Sequence, residues 1–244
     1  MRAKRNASAT GYYHVTARGN GRQLLFESDR DRRKFLELLE RAGNDYSVAL
    51  IAWCLMDNHV HLLVRAEVDD LSRAMLRVCG SYASYFNGRT GHVGHVFQGR
   101  FHSEPIEKDS HLLEAVRYIH ANPEDMQKGL SQSYKWSSYH EYLEEGGGLV
   151  DTSLILDMLG GVERFEAFHA SKLTTVPAYM RKRLTSEDAR VIADETLGAG
   201  VAATLKSHPK PQRDKALHEL RAAGLSIRQI ERITGIGRGV IAKC

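Results

Sequence analysis

Residues 48–64 read VALIAWCLMDNHVHLLV, two apolar runs on either side of the polar pair Asp57 and Asn58. Two such runs split by turn-forming residues predict a pair of strands joined by a tight reversal, with the second strand opening at His59. Successive strand side chains point to opposite faces, so His59 and His61 share one face and Val60 takes the other. Two imidazoles on one face make half a metal site. The same pair also fits ordinary polar-face residues of a half-buried strand, and the rest of the chain has to decide between these readings.

Upstream, Tyr13 and Val15 alternate with His14 and Thr16 as a first strand. Residues 29–42 follow as a helix with Phe35, Leu36, Leu38 and Leu39 on its buried side, stopped near Gly43. Downstream, Leu71, Met75, Val78, Tyr82 and Tyr85 recur at helical spacing and read as core rather than as a base-stacking platform. Residues 96–106 form a fourth strand, and Leu112, Leu113, Val116 and Ile119 give a last helix its apolar stripe. The order strand, helix, strand, strand, helix, strand, helix predicts an α+β fold, a ferredoxin-like antiparallel sheet with helices. The last helix closes on Tyr118-Ile119-His120-Ala121-Asn122-Pro123. Tyr118 lies off the stripe, and Asn122 shares its face at i+4, although a following proline pushes Asn122 away from helical geometry. Alone, this motif also fits a packing tyrosine and a helix cap.

Together these segments resemble the single-strand DNA transposases that use one tyrosine, most closely the REP-associated tyrosine transposases. Ordered motifs carry the resemblance: Tyr13-His14-Val15-Thr16-Ala17-Arg18-Gly19-Asn20, Cys54-Leu55-Met56-Asp57-Asn58-His59-Val60-His61-Leu62-Leu63, Gly94-His95-Val96-Phe97-Gln98-Gly99-Arg100-Phe101, Tyr118 to Pro123, and Trp136-Ser137-Ser138-Tyr139. The resemblance implies the ferredoxin-like fold, a metal site at His59 and His61, a nucleophile at Tyr118 and a third ligand at Asn122. Insertion-sequence relatives often carry glutamine at that last position.

The implied chemistry accounts for the residue types. A cation held by two imidazoles and an amide oxygen polarises a phosphodiester as a Lewis acid, and such mixed ligands suit Mn²⁺ at least as well as Mg²⁺. A tyrosine hydroxyl attacks once deprotonated or oriented, leaving a 5′-phosphotyrosine and a free 3′-hydroxyl, so that the bond is remade without ATP. Accordingly, no Gly-rich loop followed by Lys-Ser or Lys-Thr is found.

The net charge is only +4, but residues 206–244 carry nine Lys/Arg against three Asp/Glu, a local basic excess that favours nucleic acid and also fits a solvated face. Cys54, Cys79 and Cys244 are odd in number with no Cys-x-x-Cys spacing, which argues against a disulfide frame or a structural zinc. The basic start has no apolar segment after it and no stretch reaches membrane-spanning length, so the expected home is the cytoplasm, beside the nucleoid. His92 and His95 lack further ligands at zinc spacing.

Three regions are expected: a tyrosine transposase catalytic domain over 1–145, closed by the glycine run 146–148, a helical linker region over 146–205 containing helical periodicity from 152 to 170, and a helix-turn-helix over 206–244. In the last, a break over 205–212 with Pro209 and Pro211 precedes a helix over 214–223. Ser226 caps a second with Gln229 three residues on, Ile227, Ile230 and Ile233 line it, and a short third begins at Arg238. A plain helical hairpin is the alternative. Candidate DNA contacts are Arg18, Arg89, Arg100 and Phe97 in the first region, with strand core as the other reading of Phe97, and Arg228 and Arg238 in the last.

The leading expectation is a Mg²⁺- or Mn²⁺-dependent endonuclease and strand transferase acting on single-stranded and hairpin DNA of REP-like repeats, as monomer or homodimer. A non-catalytic repeat-binding or regulatory protein, and a nuclease that activates water in place of tyrosine, are the alternatives.

Overall fold

The computed structural model describes residues 5–125, 133–144, 148–170 and 186–242. The chain divides into two compact units, Met1–Leu173 and Thr174–Cys244. In the first, strands β1 (Tyr12–Arg18), β2 (Ala49–Met56), β3 (His59–Arg65) and β4 (His102–Ile106) form one antiparallel sheet in the order β2-β3-β1-β4. Helices α1 (Asp29–Tyr46) and α2 (Val68–Thr90) connect them, and α3 (Asp109–Asp125) follows β4. This is the expected ferredoxin-like α+β arrangement.

Alternation along the strands builds two different faces. Tyr13, Val15, Ala17, Val60, Leu62 and Val64 point into a buried cluster with Phe35 of α1 and Leu71, Met75, Val78 and Tyr82 of α2. The other face carries His14, His59 and His61, and α3 packs there on β2 and β3.

Local chemistry moves several boundaries. A capping box between Ser28 and Asp31 starts α1. Gly43 does not stop that helix, which runs on to Tyr46. The glycine serves a close approach instead, because an added Cβ would stand 2.9 Å from the Val48 carbonyl oxygen. The fourth strand is shorter than the expected 96–106. Only His102–Ile106 pairs regularly, and Phe97 makes an isolated bridge to Gly19, with Gly99 at φ +77° between them. Pro123 does not end α3. It sits within the helix, leaving the Ile119 carbonyl without its usual donor four residues on.

The outer edge of β2 is covered by residues 136–138: Leu55 N–H donates to the Trp136 carbonyl and Ser138 N–H to the Trp53 carbonyl, each at 2.9 Å. Beyond this, α4 (Ser153–Leu159) and α5 (Val162–Ala170) fold with the first unit. Phe165 of α5 stacks on Tyr142 at 4.5 Å between ring centroids. The first compact unit therefore runs past the glycine run to Leu173; residues 146 and 147 of that run lie outside the described residues.

A directed set of hydrogen bonds joins α5, α3 and the β2 edge. A carbonyl only accepts, so His169 Nδ1–H donates to the Phe165 carbonyl at 2.9 Å. His169 Nε2 must then accept from His120 Nδ1–H, at 3.0 Å, and His120 Nε2 from the Ser138 hydroxyl, at 2.8 Å. Ser138 Oγ in turn accepts from Trp53 N–H at 2.9 Å.

The second unit is helical: α6 (Ser186–Leu197), α7 (Val201–Thr204), α8 (Lys210–Ala222), α9 (Ile227–Thr234) and α10 (Arg238–Ile241). Leu217, Leu220, Ile230, Ile236 and Ile241 share a buried cluster. The expected break at Pro209 and Pro211 is the start of α8, where a missing N–H costs nothing. The Ser226–Gln229 capping box opens α9, and Gly235 at φ +68° ends it. Among the described residues no helix is long and apolar enough to cross a membrane.

Burial holds the His120 imidazole well below its usual pKa, followed by the neighbouring His169 and His140. His120 thus stays neutral in the fold but takes up a proton near pH 6.5 once unfolded. Its contribution to stability is full above that pH and is lost as the pH falls below it, by up to about 1.4 kcal/mol per unit. Urea midpoints measured from pH 7.5 to 5 should fall on the acid side while the His120 ring resonances of the folded protein stay neutral. A His120 ring that titrates near 6.5 in the folded protein would contradict this.

Candidate active site

The site begins at the reversal between β2 and β3. The Asp57 carbonyl accepts from Leu25 N–H at 2.7 Å and Phe26 N–H at 3.1 Å, and the Asn58 carbonyl from Gly19 N–H at 2.8 Å. Asp57 also pairs with Arg32 of α1 at 2.6 Å. The reversal is therefore fixed by backbone and charge together, and β3 leaves it with His59 and His61 on the α3 side.

Both imidazoles are buried, as is a third, His14 of β1. Ring centroids of His59 and His61 lie 5.0 Å apart, and those of His14 and His61 5.1 Å apart. From α3, the half-buried Tyr118 sets its ring edge-on to both His14, at 5.9 Å, and His61, at 5.7 Å. The structure brings His59, His61 and Tyr118 together. His14 is a member of the group that sequence reading had placed only in a motif. Its sole signal was strand alternation, and the contact depends on its lying diagonally from His61 across β1 and β3.

Hydrogen bonds orient the two β3 rings. His59 Nδ1–H donates to Asn58 Oδ1 at 2.7 Å, while Asn58 Nδ2 donates to the Arg22 carbonyl at 3.5 Å, which fixes which amide atom faces the ring. His61 Nδ1 lies 2.9 Å from His14 Nε2. Burial lowers the pKa of His14 to about 3, with His102 adding to the effect. The same cause, then His14, His59 and Arg18, holds His61 well below its usual value. His14 and His61 are therefore neutral at pH 7, the state in which an imidazole nitrogen serves as a metal ligand.

Asn122 is buried one turn beyond Tyr118, and its Nδ2 donates to the Tyr118 carbonyl at 3.0 Å. Because α3 runs on through Pro123, Asn122 stays on the tyrosine face. Among the described residues no three His, Cys, Asp or Glu side chains converge as a metal cage. A cation at the histidine pair would need a donor of another kind, and an amide oxygen is one.

The candidate DNA contacts separate. Arg18 is exposed and pairs with His59 across the strands, so its cation stands beside the histidines, and Arg100 is exposed on the loop before β4. Arg89 instead bonds Asp31 at 2.8 Å and Glu27 at 2.9 Å, bracing α2 against α1. Phe97 is half-buried against Tyr82, at 6.1 Å between ring centroids. In the second unit, Arg228 is exposed on α9 and Arg238 pairs with Glu231.

Residues 7–122 match the family model of IS200-like transposases. A solved structure of a REP-associated tyrosine transposase bound to a REP hairpin resembles the chain with a TM-score of 0.50 and 18% identity, over 63% of this chain and 95% of that one. At that identity the likeness is one of fold. No curated protein matches the chain.

Asp57→Ala should destabilise the first unit by about 1–3 kcal/mol, because it strips a largely buried guanidinium of its carboxylate. Urea unfolding of this variant beside Asp70→Ala, whose partner Arg73 is exposed, provides the measurement. Equal losses would show that the reversal is held by its backbone bonds alone.

Proposed function

We propose that residues 7–122, which match the IS200-like transposase family, form a transposase domain with which the protein cleaves and rejoins single-stranded DNA beside hairpins of REP-like repeats, with Tyr118 as its nucleophile. The observation that carries this reading is the placement of Tyr118 against the buried histidine pair.

In the proposed step, Tyr118 Oη bonds to the scissile phosphorus and the bond from phosphorus to the 3′-oxygen breaks. The proton released by the phenol balances the one taken up by the 3′-oxygen. A 5′-phosphotyrosine and a 3′-hydroxyl remain, and attack by another 3′-hydroxyl reverses the step and joins new strands.

The residues fit a divalent cation, because the Nδ1 atom of each β3 histidine is engaged by a neighbour, the usual arrangement for imidazole ligands. His59 and His61 would hold Mg²⁺ or Mn²⁺ through Nε2, with Asn122 Oδ1 as the amide donor. The cation would supply positive charge at the scissile phosphate. Arg18 and Arg100 would take backbone phosphates of the unpaired strand.

A hairpin partner is supported by the solved relative, which holds a REP hairpin. In the second unit, α8 to α10 are proposed as a helix-turn-helix that grips duplex phosphates, with Arg228 outward on α9. Arg238 is a weaker candidate, since it is paired with Glu231, and α10 has only four residues. Such a protein would work in the cytoplasm at the nucleoid.

Tyr118→Phe removes one hydroxyl and keeps the ring. With hairpin oligonucleotides and Mn²⁺, wild-type protein should yield a covalent DNA adduct at Tyr118 by mass spectrometry. The phenylalanine variant should bind the same oligonucleotides equally well and yield none. An adduct on Tyr82, Tyr85 or Tyr139 would overturn the assignment, and tight binding without any adduct would favour a repeat-binding protein.

A further inference from the structure

His14 is buried between β1 and α3, and the proposed chemistry gives it no part. Its Nε2 atom stands 2.9 Å from His61 Nδ1, so exactly one of the two nitrogens holds the shared proton while both rings are neutral. The choice has a consequence on the far side of the His61 ring. If His14 donates, the His61 proton must sit on Nε2, where it blocks that nitrogen as a ligand. If His14 accepts, His61 carries its proton on Nδ1 and presents the Nε2 lone pair.

His59 shows which arrangement this site uses. Its Nδ1 faces an amide oxygen, which only accepts, so the His59 lone pair lies on Nε2. The two rings project from the same face of β3 and are 5.0 Å apart, so matched tautomers give two Nε2 donors on one side of the sheet. His14 can adopt the required form. With its own proton on Nδ1, it has a carboxylate as its cross-strand neighbour, Glu104 of β4, on the same face.

We propose that His14 is a positioning residue: it accepts the His61 Nδ1–H bond and thereby holds His61 in the tautomer that offers Nε2 to a divalent cation. This inference rests on the metal-dependent reading given above. His14 touches neither the cation nor the DNA, and it acts through the ring of His61. A glutamine at the same position can place an amide oxygen where His14 Nε2 stands, whereas leucine fills similar space with no acceptor.

The test uses the full-length protein free of metal, with Mn²⁺ alone as the probe and no DNA. Calorimetry should show Mn²⁺ binding to wild-type protein, loss of binding in His59→Ala, binding weakened about 10–100-fold in His14→Leu, and binding within about threefold of wild type in His14→Gln. Nitrogen-15 spectra of the wild-type imidazoles, which need no substitution, should show His61 protonated on Nδ1. His61 protonated on Nε2, or His14→Leu binding Mn²⁺ as wild type does, would overturn the role of His14 alone. Wild-type protein that binds no Mn²⁺ would overturn the metal reading and the role of His14 with it.

Discussion

The reversal at Asp57 and Asn58 is the constraint on which the site depends. Its two carbonyls are bonded to residues 19–26, and its carboxylate is held by Arg32, so β3 starts from a fixed point. A strand has a side-chain period of two, and a fixed starting point decides which set faces which layer. Val60, Leu62 and Val64 enter the core under α1 and α2, and the histidines face α3. Stability and chemistry are thereby coupled in one strand, because the apolar burial that sets the register also places the imidazoles.

The α3 face is unusual in being both buried and polar. His14, His59, His61, His120 and Asn122 are all nearly closed to solvent. Buried polar groups are tolerated when their hydrogen bonds are made, and here the rings have partners: Asn58 for His59, His14 for His61, Ser138 and His169 for His120. Burial keeps His14, His61 and His120 neutral. It also strengthens the interactions of any charge brought among them.

Much of this was legible in the chain. The strands, the α2 core and the His59–His61 face follow from period and turn chemistry, and Tyr118 and Asn122 share a face by helical spacing. What escaped depends on contacts remote in sequence. His14 meets His61 only because β1 and β3 are neighbours in the sheet, and no local pattern states that. Arg89 read as a candidate DNA contact, yet Asp31 and Glu27 at the other end of the packed helix pair claim it. Gly43 and Pro123 read as stops because they usually are. At Gly43 the need for close approach of the Val48 carbonyl outweighed helix propensity, and at Pro123 the helix continued with one ladder bond forgone. The glycine run read as a border, but Phe165 and His169 beyond it belong to the packing of α3.

That last contact bears on how the gene can be divided. The family match ends at Asn122, yet the side of α3 turned away from Tyr118 is completed by α5, forty residues or so further on. A fusion or excised fragment built from the matched residues alone would carry the proposed nucleophile on a helix with an open flank, its His120 robbed of both hydrogen-bond partners. The packed unit around α3 is therefore longer than the segment that the family model matches, and it takes in α5.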